Sequence, residues 1–140
     1  MRTATLRSPV MSLPPAFLST VFLLDDPPVP LPDHFAIITA WNPEGLMADD
    51  AVNETADRIF KHELDDLGLN PFRATGCSPD RSHREPGWAT VISKIEAIAL
   101  GRRYRQLAVW RIEDDALILI DCATAKEERI ARFSERIVGR

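Results

Sequence analysis

Residues 35 to 41, Phe-Ala-Ile-Ile-Thr-Ala-Trp, are apolar at nearly every position and end abruptly at Asn42-Pro43-Glu44-Gly45. Such a run suits a strand covered on both faces better than an alternating edge strand, so it marks the expected centre of a sheet. Pro43 disfavours helix at Asn42 and Gly45 permits positive φ, which breaks the strand into a tight corner. A second segment, Glu85-Pro-Gly-Trp-Ala-Thr-Val-Ile92, joins a polar, backbone-restricted corner to a strand.

The flanking sequence supplies the other elements. Four prolines at 27, 28, 30 and 32 remove amide donors between Asp25 and Asp33, which predicts an exposed extended loop. Residues 15 to 24 read as a helical turn running into a strand. Val52, Ala56, Ile59, Phe60, Leu64 and Leu67 share one helical face, with Asp49 or Asp50 as N-cap and Gly68 as the stop. Phe72 to Gly76 reads as a short strand, Cys77 to Pro86 as a polar loop and Gly87 to Ile92 as a strand. Ser93 and Glu96 form a capping box for a second helix, with Ile95, Ile98 and Ala99 inward. Gln106 to Glu113 and Ala116 to Asp121 predict a hairpin around Asp114-Asp115. Thr124-x-x-Glu127 predicts a final helix with Ile130, Phe133 and Ile137 facing inward.

That order predicts an α+β fold, ferredoxin-like (split βαβ) or a related mixed-sheet sandwich. Helices would pack on the sheet, with an extra C-terminal hairpin strand and helix. Residues 1–13 are expected to be a flexible tail, with Met11 as an alternative start, and 14–140 one α+β domain. At 140 residues and 45% hydrophobic content the chain can bury one core.

Composition removes several function classes. Seventeen basic against twenty-one acidic residues give a net charge of −4 with no basic stripe, which disfavours nucleic-acid binding. Ala16 to Leu24 is much shorter than the roughly 20 apolar residues of a membrane helix and lacks a cleavage site, so no membrane role or secretion is expected. Cys77 and Cys122 lie far apart, as buried thiols of a cytoplasmic protein would. No phosphate-cradling loop, serine elbow or Rossmann fingerprint occurs.

The residue types that recognise ligands collect at the corners. Trp41 and Asn42 stand at the end of the central strand, and Asn53 on the following helix aims back toward them. His83 and Glu85 lie close together beside Pro86, a pattern that could ligate a metal or make a carboxylate-steered base. Their spacing fits no closed ligand set, so neither a metal nor a cofactor is expected. His62-Glu63-x-x-Asp66 falls one residue type short of a helical zinc motif. Glu63 projects within an apolar stripe and must be paired, snorkel or raise its pKa. Gln106 offers a donor and an acceptor where the second helix meets its strand.

Ala-Trp-Asn-Pro at 40 to 43, Asn53, Gly76, the Glu85-to-Trp88 corner and Gln106-Leu-Ala-Val-Trp110 together resemble a bacterial family known as domain of unknown function 3293. The resemblance covers about residues 15 to 112 and brings no established activity. It implies that Asn42, Asn53, Glu85 and Gln106 belong to one site. The expectation is a module that binds a polar small molecule or a protein partner there, with Trp41 or Trp88 as a stacking wall. One rival is a hydrolase or nuclease using Glu85 and His83, and another is an assembly protein that forms homo-oligomers.

Overall fold

The computed structural model describes residues 13–139, so the expected tail lies, but for Leu13, outside the described residues. The described chain forms one seven-stranded sheet in the order β1-β3-β4-β2-β5-β6-β7, with every neighbouring pair antiparallel. The strands are β1 (Val21–Asp25), β2 (His34–Thr39), β3 (Phe72–Cys77), β4 (Arg84–Thr90), β5 (Ala108–Glu113), β6 (Ala116–Asp121) and β7 (Glu127–Arg132). Two helices, α1 (Asp50–Asp66) and α2 (Lys94–Arg103), interrupt them. This overturns the ferredoxin-like expectation: the molecule is mostly antiparallel sheet, a curled seven-stranded half-barrel with only two α-helices among the described residues, rather than a sandwich of helices on a flat sheet.

β2 is the middle strand and is buried on both faces, as its apolar run requires. Ala36, Ile38 and Ala40 join Phe60 and Leu64 of α1 and Ala97, Ile98 and Leu100 of α2 in one core. Phe35 and Ile37 face the other way, into a second core with Phe22, Trp110, Leu119 and Phe133. Because side chains alternate across a strand, β2 feeds both cores.

The second core exists because the sheet curls. β1 and β5 are four strand steps apart, about 19 Å on a flat sheet, yet the rings of Phe22 and Trp110 lie 5.4 Å apart, edge to face. Phe133, just past β7, also reaches Phe22, at 5.5 Å. The edge of β1 bonds to the segment beyond β7: Phe22 N donates to Arg136 O at 2.7 Å and Val138 N to Phe22 O at 2.9 Å. Phe17, in the 3-10 turn Pro15–Ser19, closes one side against Trp110.

The C-terminal helix expected from Thr124-x-x-Glu127 is strand β7. Asp121 Oδ1 accepts from Ala123 N and Thr124 N, Thr124 Oγ1 accepts from Lys126 N, and Ala125 has φ 65°. The hydroxyl therefore stabilises a reversal rather than a helix start. The buried face of α1 also differs from the expected stripe. Asn53, Asp57, Phe60 and Leu64 are inside, whereas Val52, Ile59 and Leu67 are exposed. In α2, Ser93 and Glu96 make the reciprocal capping box, but Ile95 and Ala99 face out. Glu63 is paired, accepting from Arg103 and from the Tyr104 hydroxyl, both at 2.6 Å. Among the described residues no helix is long and apolar enough to cross a membrane.

Candidate functional site

The corner after β2 is built around Asn42, whose backbone is left-handed (φ 50°, ψ 62°). Asparagine tolerates that region better than most residues because its short amide bonds locally. Here the amide bonds outward as well. Asn42 N donates to Asn53 Oδ1 at 2.8 Å, and Asn53 Nδ2 donates back to Asn42 Oδ1 at 2.9 Å. Ala48 N also donates to Asn42 Oδ1, at 3.0 Å, which fixes the orientation of the amide. Its Nδ2 then points at Glu85 and donates to Oε2 at 2.9 Å. His83 Nε2 lies 3.0 Å from the same carboxylate oxygen. A carboxylate that is ionised can only accept, so Nε2 carries the proton. Asn53, Asn42, Glu85 and His83 thus form one hydrogen-bonded chain, running from the buried face of α1 past the end of β2.

Glu85 can take part because it lies in β4, not in the polar loop expected over 77 to 86. The reversal between β3 and β4 is confined to residues 78–83. Pro86 is accommodated within β4 because β2 pairs only from Gly87 onward. Past that point Thr39 takes over, donating from Oγ1 to Pro86 O at 2.6 Å and accepting from Trp41 N at 3.0 Å. Gly87 has no room for a side chain, since a Cβ there would sit 2.9 Å from Ile38 O and 3.0 Å from Ala74 O.

Gln106 approaches from the opposite side of the corner. Its Nε2 donates to Trp41 O at 3.1 Å and to Tyr104 O at 3.2 Å. Asn42, Glu85, His83 and Gln106 form the polar end of a cavity of about 280 Å³ inside the curl. Its walls are apolar, with Phe17, Phe22, Ile37, Ala74, Ala108 and Trp110 among them. That volume lies near the lower end of the roughly 300–1,000 Å³ range of small-molecule sites. Cys77 also lines the cavity, and burial raises its thiol pKa, which leaves it a poor nucleophile.

Two expected positions fall elsewhere. Trp88 is on the helix-covered face of β4, where it cannot wall this cavity. Its indole Nε1 donates to Asp57 Oδ1 at 3.1 Å, and the Arg73 guanidinium stacks 3.8 Å from its ring. Arg73 in turn grips Asp57 with both terminal nitrogens at 2.8 Å. Alternation along β4 puts Glu85 and Gly87 on one face and Trp88 on the other, a parity lost when the strand is started at Gly87. Trp41 touches the corner through its main chain, and its own indole Nε1 is buried without a hydrogen-bond partner. Asn53 supports the cavity without lining it, being 1% exposed behind Asn42.

The sequence reading expects the aromatic wall from Trp41 or Trp88, whereas Phe17, Phe22 and Trp110 supply it. Gln106, Ala108 and Trp110 are spaced by two and share a strand face, which is the signal that could have found Trp110. Asp57 stands four residues after Asn53, a polar stripe that marks a buried hydrogen-bonded seam when both ends find partners. Among the described residues no group of three or more His, Cys, Asp or Glu side chains is arranged to hold a metal ion.

The fold and site define a curled antiparallel sheet with helices outside and a polar-ended cavity inside. The chain belongs to the family described as Protein of unknown function (DUF3293), which matches residues 38–109. That match spans Asn42, Asn53, His83, Glu85 and Gln106. No curated protein matches the chain, and neither does any solved structure.

Proposed function

We propose that this protein binds a small molecule with an apolar body and a polar head, held in the cavity with its head at the Asn42–Glu85–His83 end. The observation that carries this reading is the junction of an apolar, aromatic-walled cavity with a prearranged carboxylate, since ligand sites combine apolar walls with a few fixed polar groups. Asn53 and Asn42 act as positioning residues that hold Glu85. The cavity volume, about 280 Å³, suits a small molecule better than a protein segment. A cytoplasmic setting fits the two free, buried thiols.

Catalysis by Glu85 and His83 is the second reading, favoured by their 3.0 Å contact. It lacks a ready protein nucleophile: the Cys77 thiol is held protonated by burial, and Ser78 Oγ donates to Asp80 at 2.8 Å. A hydrolase built here would have to activate water.

The test is a thermal-shift screen of small metabolites on the wild type, Glu85→Gln and Ala108→Leu. In Glu85→Gln the new amide oxygen can still accept from Asn42, so the melting temperature is expected near that of the wild type, while the ligand-induced shift is sharply reduced. Ala108→Leu extends a side chain into the cavity and is expected to abolish the shift. A hit that stabilises all three proteins equally would refute binding in this cavity.

A further inference from the structure

The hydrogen bonds at the polar end of the cavity identify what the head group must offer. Asn42 Nδ2 is engaged by Glu85 Oε2, and Thr39 Oγ1 by Pro86 O. Gln106 Nε2 is engaged by the Trp41 and Tyr104 carbonyls, and His83 Nε2 by Glu85. These four donors are therefore occupied within the protein. What remains are acceptors: among the described residues no hydrogen bond reaches Glu85 Oε1 or Gln106 Oε1. A ligand head that brings only acceptors would find no free donor among those four and would strip water from these oxygens.

Charge points the same way. Among the described residues no Lys or Arg lines the cavity, and Glu85 is its one acidic side chain. Arg105 and Arg136, on adjoining segments, are engaged elsewhere: the first with Glu44 at 2.7 Å, the second with the Leu18 and Thr20 carbonyls at 3.1 and 3.0 Å. An anionic head would meet the carboxylate with no Lys or Arg to compensate it. A donor that is also a cation satisfies both conditions, because hydrogen bonds between ionised partners are about twice as strong as neutral ones.

Resting on the cavity reading above, we infer that the ligand is an organic amine: an ammonium head donating to Glu85 Oε1 and Gln106 Oε1, carried on an aromatic or aliphatic body that fills the space between Phe17, Phe22 and Trp110. The specificity is by charge and donor count at the head and by apolar fit along the body.

Three probes of matched shape separate the possibilities: 2-phenylethylamine, 2-phenylethanol and 3-phenylpropanoate, each titrated calorimetrically at pH 7 up to millimolar concentration. The amine is expected to bind about tenfold tighter than the alcohol, the difference of one charge-assisted hydrogen bond, with the carboxylate weakest. Glu85→Gln is expected to close the gap, bringing the amine down to the level of the alcohol. The comparison within the wild type needs no variant to fold. If the alcohol or the carboxylate binds as tightly as the amine, the amine assignment is overturned while the cavity reading stands. Binding by none of the three overturns both.

Discussion

At Asn42 one side chain joins the connection at Ala48, the first turns of α1 at Asn53 and, 43 residues on in sequence, strand β4 at Glu85. The residue also sits at positive φ, where a Cβ crowds the following carbonyl. Asn42→Ala would take the Oδ1 acceptor from Ala48 N and from Asn53 Nδ2, which would keep only its 3.3 Å bond to Ala48 O, and would keep the backbone strain. The expected loss in urea-unfolding experiments is about 3 kcal/mol, from the lost bonds of the Asn42 side chain to Ala48, Asn53 and Glu85 and from a left-handed alanine. Asn42→Gly removes the same bonds but relieves the backbone, so it should recover about 1 kcal/mol of that loss. Equal stabilities for the two variants would mean that the left-handed conformation costs nothing here.

The turn between β3 and β4 positions His83 through a short relay. Asp80 Oδ1 accepts from Ser78 Oγ at 2.8 Å, from Ser82 N at 3.0 Å and from Ser82 Oγ at 2.8 Å, and Ser78 Oγ accepts from His83 N at 3.0 Å. Those bonds, led by the Ser82 amide, lower the Asp80 pKa from 3.8 to about 2. Because the folded value lies below the unfolded one, the stabilisation is complete above pH 3.8 and is lost as pH falls through about 2. A carboxyl carbon NMR titration should give Asp80 a midpoint near 2 in the wild type, and one closer to the ordinary aspartate value in Ser82→Ala. An ordinary midpoint in the wild type would show that this turn is not formed.

Elements whose signals are local were legible in the sequence. The apolar run of β2, the Ser93 capping box and the Asp114-Asp115 turn, with φ 47° and 72°, all lie where their residues put them. Elements that depend on remote partners were not. Thr124-x-x-Glu127 satisfies the same local rule as Ser93-x-x-Glu96, and only the free edge of β6 decides that the chain after it pairs as a strand. The inward face of α1 escapes a helical-period reading because Asn53 and Asp57 are polar. They tolerate burial only through Asn42, Arg73 and Trp88, which no helical period reveals. The residues pointed to Asn42, His83, Glu85 and Gln106, and the family resemblance grouped Asn42, Asn53, Glu85 and Gln106 in one site, but Trp88 was placed on the wrong face of β4.

On the scale of the whole molecule, curling is what makes a cavity out of a sheet. A flat sheet of this order would leave Phe22, Phe35 and Trp110 on an open surface; bringing β1 round to β5 and tying it to the segment past β7 buries them and leaves space between Phe17, Trp110 and the Asn42 corner. Helices on the outer face hold the corner from behind through Asn53, so support and recognition occupy opposite faces of the same strands. The three tryptophans of the chain report on this division: Trp110 is in the cavity wall, Trp88 is under α1 and Trp41 is at the corner. The most direct measurement is therefore a proton–nitrogen NMR titration of the indole signals with 2-phenylethylamine, assigned by single Trp→Phe variants. The structure predicts that the Trp110 indole signal shifts with saturation while the Trp88 signal stays fixed. A Trp88 signal that moves while Trp110 does not would contradict the account, because it would put the ligand on the helix-covered face of the sheet.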